Sequence, residues 1–357
     1  MTDYMSRSQA AGYIFENQIL ELLGESGFIE VTKGNLPGRG TEHQIDAYGK
    51  FSFPTPFTYP IRLIAEAKCL EKSVGLAQLR SFFGVITDIS ENYIVGPDRQ
   101  RNTPDRYSDT GCFFSAESFS PKAQDFAWAH NIFIISFAGI PQTKEIIEKI
   151  RKFTKSMPES ELDELSKKKG KQKEELWNKY QTWLTSHSMN EQNLIVVEKK
   201  PSLLVGIIDN TYPVIVVGNK GWYKDFKISC KTDNIVGIKT NRTDFDEGSL
   251  FEIDIEEESK RRRVFHVCFS IPDVIAGKIK DRIGQMKIGE EIFDLDIPLI
   301  IKRGRKTTRR IIKIKVRIRD EKDRKDYYQK IKGESEPIKQ PSREESREDN
   351  VIIENCV

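Results

Sequence analysis

Ile61-Arg62-Leu63-Ile64-Ala65-Glu66-Ala67-Lys68-Cys69 is the stretch on which the reading of this chain turns. Its aliphatic and small residues read as a strand, and successive side chains of a strand face opposite ways. Glu66 and Lys68 therefore share one face, while Ala65 and Ala67 share the other. One face carries chemistry and the other carries core. Upstream, Gln44-Ile45-Asp46-Ala47-Tyr48 reads as a second strand, which can bring a further carboxylate beside the first.

The segments before these strands fill out a compact order. Gly12 to Leu23 sets Phe15, Ile19, Leu22 and Leu23 at helical spacing and reads as an amphipathic helix closed by Gly24 and Gly27. Phe28 to Lys33 reads as a short strand, and Gly38-Arg39-Gly40-Thr41 is a flexible turn into the Asp46 strand. The expected order is helix, strand, strand, strand.

Asp46, Glu66 and Lys68 suit one class of reaction. Hydrolysis of a phosphodiester needs a hydroxide delivered to an anionic phosphorus and a developing charge stabilised on the leaving oxygen. Divalent cations held by carboxylates can do both. Asp46 and Glu66 are the expected ligands, and the Lys68 ammonium can steady the attacking hydroxide or the phosphate oxygens without reorganising during the reaction. The plainer alternative is a strand with a surface Glu-x-Lys pair.

Taken together, these blocks resemble the PD-(D/E)xK nuclease superfamily and, within it, the Mrr-like restriction endonucleases, over about residues 8 to 140. The resemblance is carried by a Gly-x-x-Phe-Glu helix at Gly12 to Glu16, a glycine-rich turn leading to Ile45-Asp46, and the Glu66-x-Lys68 strand. It extends through a helix at Val74 to Ile86, a helix at Phe119 to Ala127 and a closing strand at Ile132 to Phe137. It implies a restriction-endonuclease-like α/β fold, a mixed central sheet flanked by helices. Asp46, Glu66 and Lys68 are implied as catalytic, Glu16 as an accessory carboxylate that also binds metal, and Gln78 as a polar residue near the site. The implied cofactor is Mg2+, with Mn2+ as a substitute, and the implied substrate is double-stranded DNA in restriction or anti-phage defence. Two departures stand out: Glu66 where the family often has glutamine, and an insertion at Phe51 to Pro60 that lengthens a loop beside the site.

Neighbouring residues carry alternatives. His43, at the strand entrance, is read as a turn or backbone partner rather than a base, and Glu42 has the same standing. Glu16, next to Phe15, can reach a metal from the edge of the buried face or lie exposed on the helix. Arg80 either meets a phosphate or faces solvent.

With 357 residues, the chain exceeds what one core usually holds. The expected division is a nuclease-like domain at 1–141, a helical connector at 142–190, a β-rich sandwich or barrel at 191–320 and a charged, disordered tail at 321–357. Within the connector, Lys144 to His187 reads as helical with a break at Pro158-Glu159-Ser160, and Trp177, Tyr180, Trp183 and Leu184 form a packing side. The β-rich part shows strands at Leu194 to Val197, Leu203 to Ile208, Val214 to Val217, Phe226 to Cys230, Leu250 to Ile255, Val264 to Phe269, Leu299 to Ile301 and Ile311 to Ile318, with a helix at Pro272 to Met286.

The net charge of +3 says little, but from Lys302 to Arg319 every charged residue is basic. Ile312 to Arg319 alternates apolar and cationic side chains, which reads either as a DNA-binding stripe or as an edge strand whose lysines deter pairing. The five cysteines lack paired spacing, so free thiols are expected. No stretch approaches the ~20 apolar residues of a membrane span, and no signal peptide is apparent, so a cytoplasmic protein is expected. A homodimer is expected if both DNA strands are cut. Two other readings remain: a nuclease gated by a C-terminal sensor of a phage protein or small signalling molecule, and a non-catalytic DNA-binding or assembly subunit.

Overall fold

A computed structural model describes residues 5–51, 58–92, 106–168, 171–188, 203–218, 235–239, 250–257, 262–271, 273–285, 290–303 and 306–318. The expected strands at Leu194 to Val197 and Phe226 to Cys230, and the expected tail, lie outside these residues.

The chain opens with helix α1 (Arg7–Glu25), followed by strands β1 (Phe28–Pro37), β2 (Glu42–Phe51) and β3 (Ile61–Lys68). Helix α2 (Leu76–Ser90), strand β4 (Ser108–Ser115), helix α3 (Pro121–Ala129) and strand β5 (Ile132–Ser136) complete a mixed α/β layer. A capping box starts α1: the Gln9 amide donates to Ser6 Oγ at 3.1 Å, and the Ser6 amide donates to Gln9 Oε1 at 2.8 Å. The sheet runs β1-β2-β3-β4-β5. Its first three strands pair antiparallel, whereas β3, β4 and β5 pair parallel across the helical crossovers α2 and α3.

Alternation along β3 sorts its neighbours. Leu63, Ala65 and Ala67 belong to the core that contains α1, whereas Ile64 belongs to the core under α2 and α3 with Phe82 and Phe113. Glu66 and Lys68 continue the Ile64 side past the point where that core ends. The turn before β2 is pinned to the last turn of α2. Asp88 accepts the Gly40 amide at 2.9 Å, its main-chain oxygen accepts the Arg39 amide at 2.9 Å, and its carboxylate meets His43 Nε2 at 2.7 Å. Gly38 is required there, because a Cβ would stand 2.0 Å from Asp88 Oδ2 and 2.7 Å from the Thr41 carbonyl. His43 is thus a turn partner, held to Asp88.

Helices α4 (Pro141–Ser156), α5 (Glu159–Lys167) and α6 (Gln172–Ser188) follow, with the break at Pro158. Ile146, Ile147, Ile150 and Phe153 of α4 and Leu176 and Tyr180 of α6 join the same core as α1, and Trp177, Trp183 and Leu184 pack against it.

Strands β6 (Leu203–Ile208), β7 (Tyr212–Gly218), β8 (Ile235–Lys239), β9 (Leu250–Glu257) and β10 (Arg262–Ser270), helix α7 (Asp273–Gln285), and strands β11 (Glu291–Arg303) and β12 (Lys306–Ile318) form the second body. The strands close into a barrel in the order β10-β7-β6-β11-β12-β8-β9, antiparallel except for the β8/β12 pair. Phe251, Phe269 and Phe293 meet inside it, with ring centroids 5.1 to 6.1 Å apart. Leu203, Val205, Ile215, Val217 and Cys268 instead face outward into the α1 core. Burial on both faces explains why β6 and β7 read as nearly continuous apolar runs. Two buried bonds tie the bodies together: the Val205 amide donates to Ser26 Oγ at 3.0 Å, and Tyr212 Oη donates to the Ile134 carbonyl at 3.1 Å.

Strand β12 corrects the edge-strand reading of the basic run, because it pairs with β11 on one side and β8 on the other. Ile314 and Val316 point into the barrel, and the outward cations meet acids of β11. Lys313 lies 3.7 Å from Asp296, Lys315 lies 2.9 Å from Glu291, and Arg317 lies 3.2 Å from Glu291. These cations form cross-strand ion pairs of the kind that stabilise sheets.

Candidate active site

The site forms where β2 and β3 begin to separate. Between the register pairs Thr32↔Tyr48 and Gly34↔Ile45, both Asp46 and Ala47 stand opposite Lys33, a bulge that redirects the β2 side chains. Pairing between β2 and β3 is registered up to Ala47↔Ala65. Beyond it, the Asp46 carboxylate takes over: Oδ2 accepts the Ala67 amide at 2.9 Å. A side chain thus satisfies a backbone donor between Glu66 and Lys68, and Asp46 is held in place by the strand that carries the other two groups.

Lys68 Nζ pairs with Glu66 Oε1 and stands 4.0 Å from Asp46 Oδ2. Glu16 approaches from α1, buried beside Ile19 and Phe15. Two further ammoniums close the cluster. Lys173 of α6 lies 2.7 Å from Glu16 Oε2 and 4.4 Å from the centroid of the Tyr13 ring, and Lys33 of β1 donates to Asn17 Oδ1 at 3.0 Å. Side-chain exposure rises from 10% at Glu16 and 11% at Asp46 to 22% at Glu66 and 38% at Lys68, so the cluster opens to solvent on the Lys68 side.

The electrostatics follow from this crowding. Burial raises the Glu66 carboxyl above its ordinary range and Asp46 adds to the effect, with Lys68 opposing. Glu16 is raised for the same two reasons, burial first and Asp46 second, with Lys173 opposing. Burial alone would lower the Lys68 ammonium, but the attraction of Glu66, Asp46 and Glu16 outweighs it and the net direction is upward. Lys33 is held below its ordinary value by burial and by Lys173.

Of the residues singled out from sequence, Asp46, Glu66, Lys68 and Glu16 come together. Gln78 instead caps α2, where its Oε1 accepts the Gly75 amide at 2.8 Å. The Arg80 guanidinium lies 5.9 Å from the centroid of the Phe126 ring, and Glu42 accepts from Asn35 at 3.3 Å. Lys33 and Lys173 were not identified from sequence. Lys33 could have been found by registering β1 against Asp46, whereas Lys173 carries no local signal because only the packing of α6 on α1 brings it near.

Among the described residues, no three His, Cys, Asp or Glu side chains form a ready-made metal cage, and ammoniums stand against the carboxylates. The donor set nevertheless suits a hard cation: oxygen ligands only, with two carboxyls raised by burial and mutual repulsion that a divalent ion would relieve.

No protein-family model matches the chain, and no curated protein matches it. Among solved structures, the crystal structure of a protein of unknown function, AF1548, aligns with 49% of this chain and 98% of that chain at 14% identity. The TM-score is 0.28, too low to identify a common fold. Among the described residues no helix is long and apolar enough to cross a membrane.

Proposed function

We propose that the chain is a divalent-metal-dependent DNA endonuclease whose N-terminal part is a restriction-endonuclease-like, PD-(D/E)xK domain of Mrr type. One observation carries the reading: Asp46 from β2 and Glu66 and Lys68 from β3 converge at a solvent-open point, with Asp46 locked to the Ala67 amide between the other two. The order of α1, three antiparallel strands and a parallel extension is consistent with it.

Asp46 and Glu66, with Glu16 alongside, are the residues that would hold Mg2+ or Mn2+. Such an ion, when bound, supplies Lewis-acid stabilisation and a more acidic attacking water. The chain's own residues do the rest. Water attacks the scissile phosphorus and loses a proton to solvent, the bond from phosphorus to the leaving oxygen breaks and that oxygen takes a proton from solvent, and Lys68 stabilises the charge that builds as this happens. The Ala67 amide keeps Asp46 from rotating away, which saves reorganisation during the step. Restriction or anti-phage defence in the cytoplasm is the proposed setting, with a homodimer required for double-strand cuts.

A second reading, a nuclease gated by its barrel, draws on one observation. Helix α1, which carries Glu16, is bonded through Ser26 to Val205 of the barrel, so displacement of the barrel can reach the site. Incubating plasmid with wild type, Asp46→Ala and Lys68→Ala, in Mg2+ or chelator, tests the chemistry. Cutting by wild type in Mg2+ alone supports it, and equal cutting by all three proteins refutes the assignments.

A further inference from the structure

Lys173 sits 157 residues from Glu16 in sequence and 2.7 Å from it in space. Its ammonium is fixed from two sides, by the Glu16 carboxylate and by the face of Tyr13, and its side chain is 22% exposed. A lysine that served only to pin α6 to α1 could pair anywhere along the shared surface. This one pairs with the carboxylate that faces Asp46.

A charge count shows what its presence changes. Glu16, Asp46, Glu66 and Glu174, whose carboxylate acts on Lys33, contribute four negative charges when ionised, and Lys33, Lys68 and Lys173 contribute three positive ones. Without Lys33 and Lys173, the site would carry a net charge of about −3 and would stay negative with a divalent ion bound, which repels an anionic backbone. With them it is about −1 beforehand and positive once loaded. Lys33 and Lys173 are also close enough to repel each other, a cost that an arriving anion between them would remove.

Building on the nuclease reading, we infer that Lys173 contacts a phosphate of the nucleic-acid backbone next to the scissile one, so that α6 forms part of the substrate site. Lys173 exchanges its Glu16 partner for that phosphate, which would leave Glu16 available to help hold a divalent ion. The contact belongs to binding rather than to the bond-breaking step.

Fluorescence anisotropy of a labelled DNA duplex with Ca2+ in place of Mg2+, titrated across salt concentrations, tests binding to the loaded site. Removing one phosphate contact lowers the slope of log K against log salt by about 0.9. Lys173→Gln is expected to bind about tenfold more weakly, with its slope reduced by about one, and Lys173→Arg is expected to restore both. In Mg2+, Lys173→Gln is expected to raise KM by a larger factor than it lowers kcat. Lys173→Met, which keeps the stem over Tyr13, carries the same test if the glutamine variant does not fold. Binding and slope equal to wild type in the Gln or Met variant, or an Arg variant no better than Gln, would overturn the inference while leaving the nuclease reading intact. Wild type that neither binds nor cuts duplex removes the nuclease reading itself, and this inference with it.

Discussion

Ser26→Ala removes a single oxygen from the joint between sheet and barrel. Ser26 is fully buried, and its Oγ donates to the Leu22 carbonyl at 2.7 Å while accepting the Val205 amide at 3.0 Å. The Leu22 carbonyl keeps a partner in the variant, because the Ser26 amide also donates to it at 3.0 Å. The Val205 amide does not. Val205 pairs with Ile215 of β7, while β11 is registered against β6 only at Ile207 and Ile208, so Ser26 supplies the acceptor on that side. Leaving a buried amide unsatisfied costs about 1–3 kcal/mol, and about 2 kcal/mol corresponds to a drop in Tm of roughly 3 °C for a chain of 357 residues. Thermal unfolding followed by tryptophan fluorescence, with hydrogen exchange at the Val205 amide, measures both the cost and its place. A Tm within about 1 °C of wild type, or a Val205 amide as protected as before, would refute the reasoning.

Other expectations concern pH and thiol chemistry. His43 and the Gly40 and Thr41 amides hold Asp88 below the ordinary carboxylate range, so its contribution to stability is present above an unfolded value of about 3.9 and is lost as pH falls through the depressed folded value. The Tm difference between wild type and Asp88→Asn is therefore expected to be full above pH ~4 and to shrink below it; a difference independent of pH counts against the hydrogen bonds to the Asp88 carboxylate. Burial pushes the Cys69 thiol up to about 11 and Cys268 up to about 12, and raises Cys112 further. Native protein treated with iodoacetamide at pH 8 is expected to show these three peptides unmodified, with labelling only after denaturation. Rapid native alkylation of any of them contradicts the burial described.

Much of the α/β part is legible in the sequence because its elements advertise themselves locally. Strand β3 alternates small core residues with Glu66 and Lys68, and α1 repeats its apolar positions at helical spacing with Glu16 beside Phe15. The barrel is legible only in pieces. Strand β11 begins at Glu291 rather than Leu299, and Pro298 stands inside it opposite Ile311. A proline is tolerated in a strand when its missing N–H points away from a ladder, and at Pro298 no β6 pairing is registered. Strand β8 pairs parallel with β12 across a long sequence gap, which no local pattern reveals. The basic run of β12 reads as an edge because the strands that flank it, β11 and β8, are set beside it only by the closure of the barrel. Lys173 is hidden for a related reason: its charge reads as a solvated helix face until α6 is laid against α1.

The central claim is that Asp46, Glu66 and Lys68 form a metal-dependent phosphodiester-cleaving site, and Asp46→Asn probes it most directly. Asparagine keeps the oxygen that accepts the Ala67 amide at 2.9 Å, so the strands stay in place while one carboxylate charge is lost. Single-turnover cleavage of a labelled duplex in Mg2+ should fall at least about a hundredfold relative to wild type, with Tm little changed. Cleavage by the folded Asp46→Asn protein at the wild-type rate would contradict the claim.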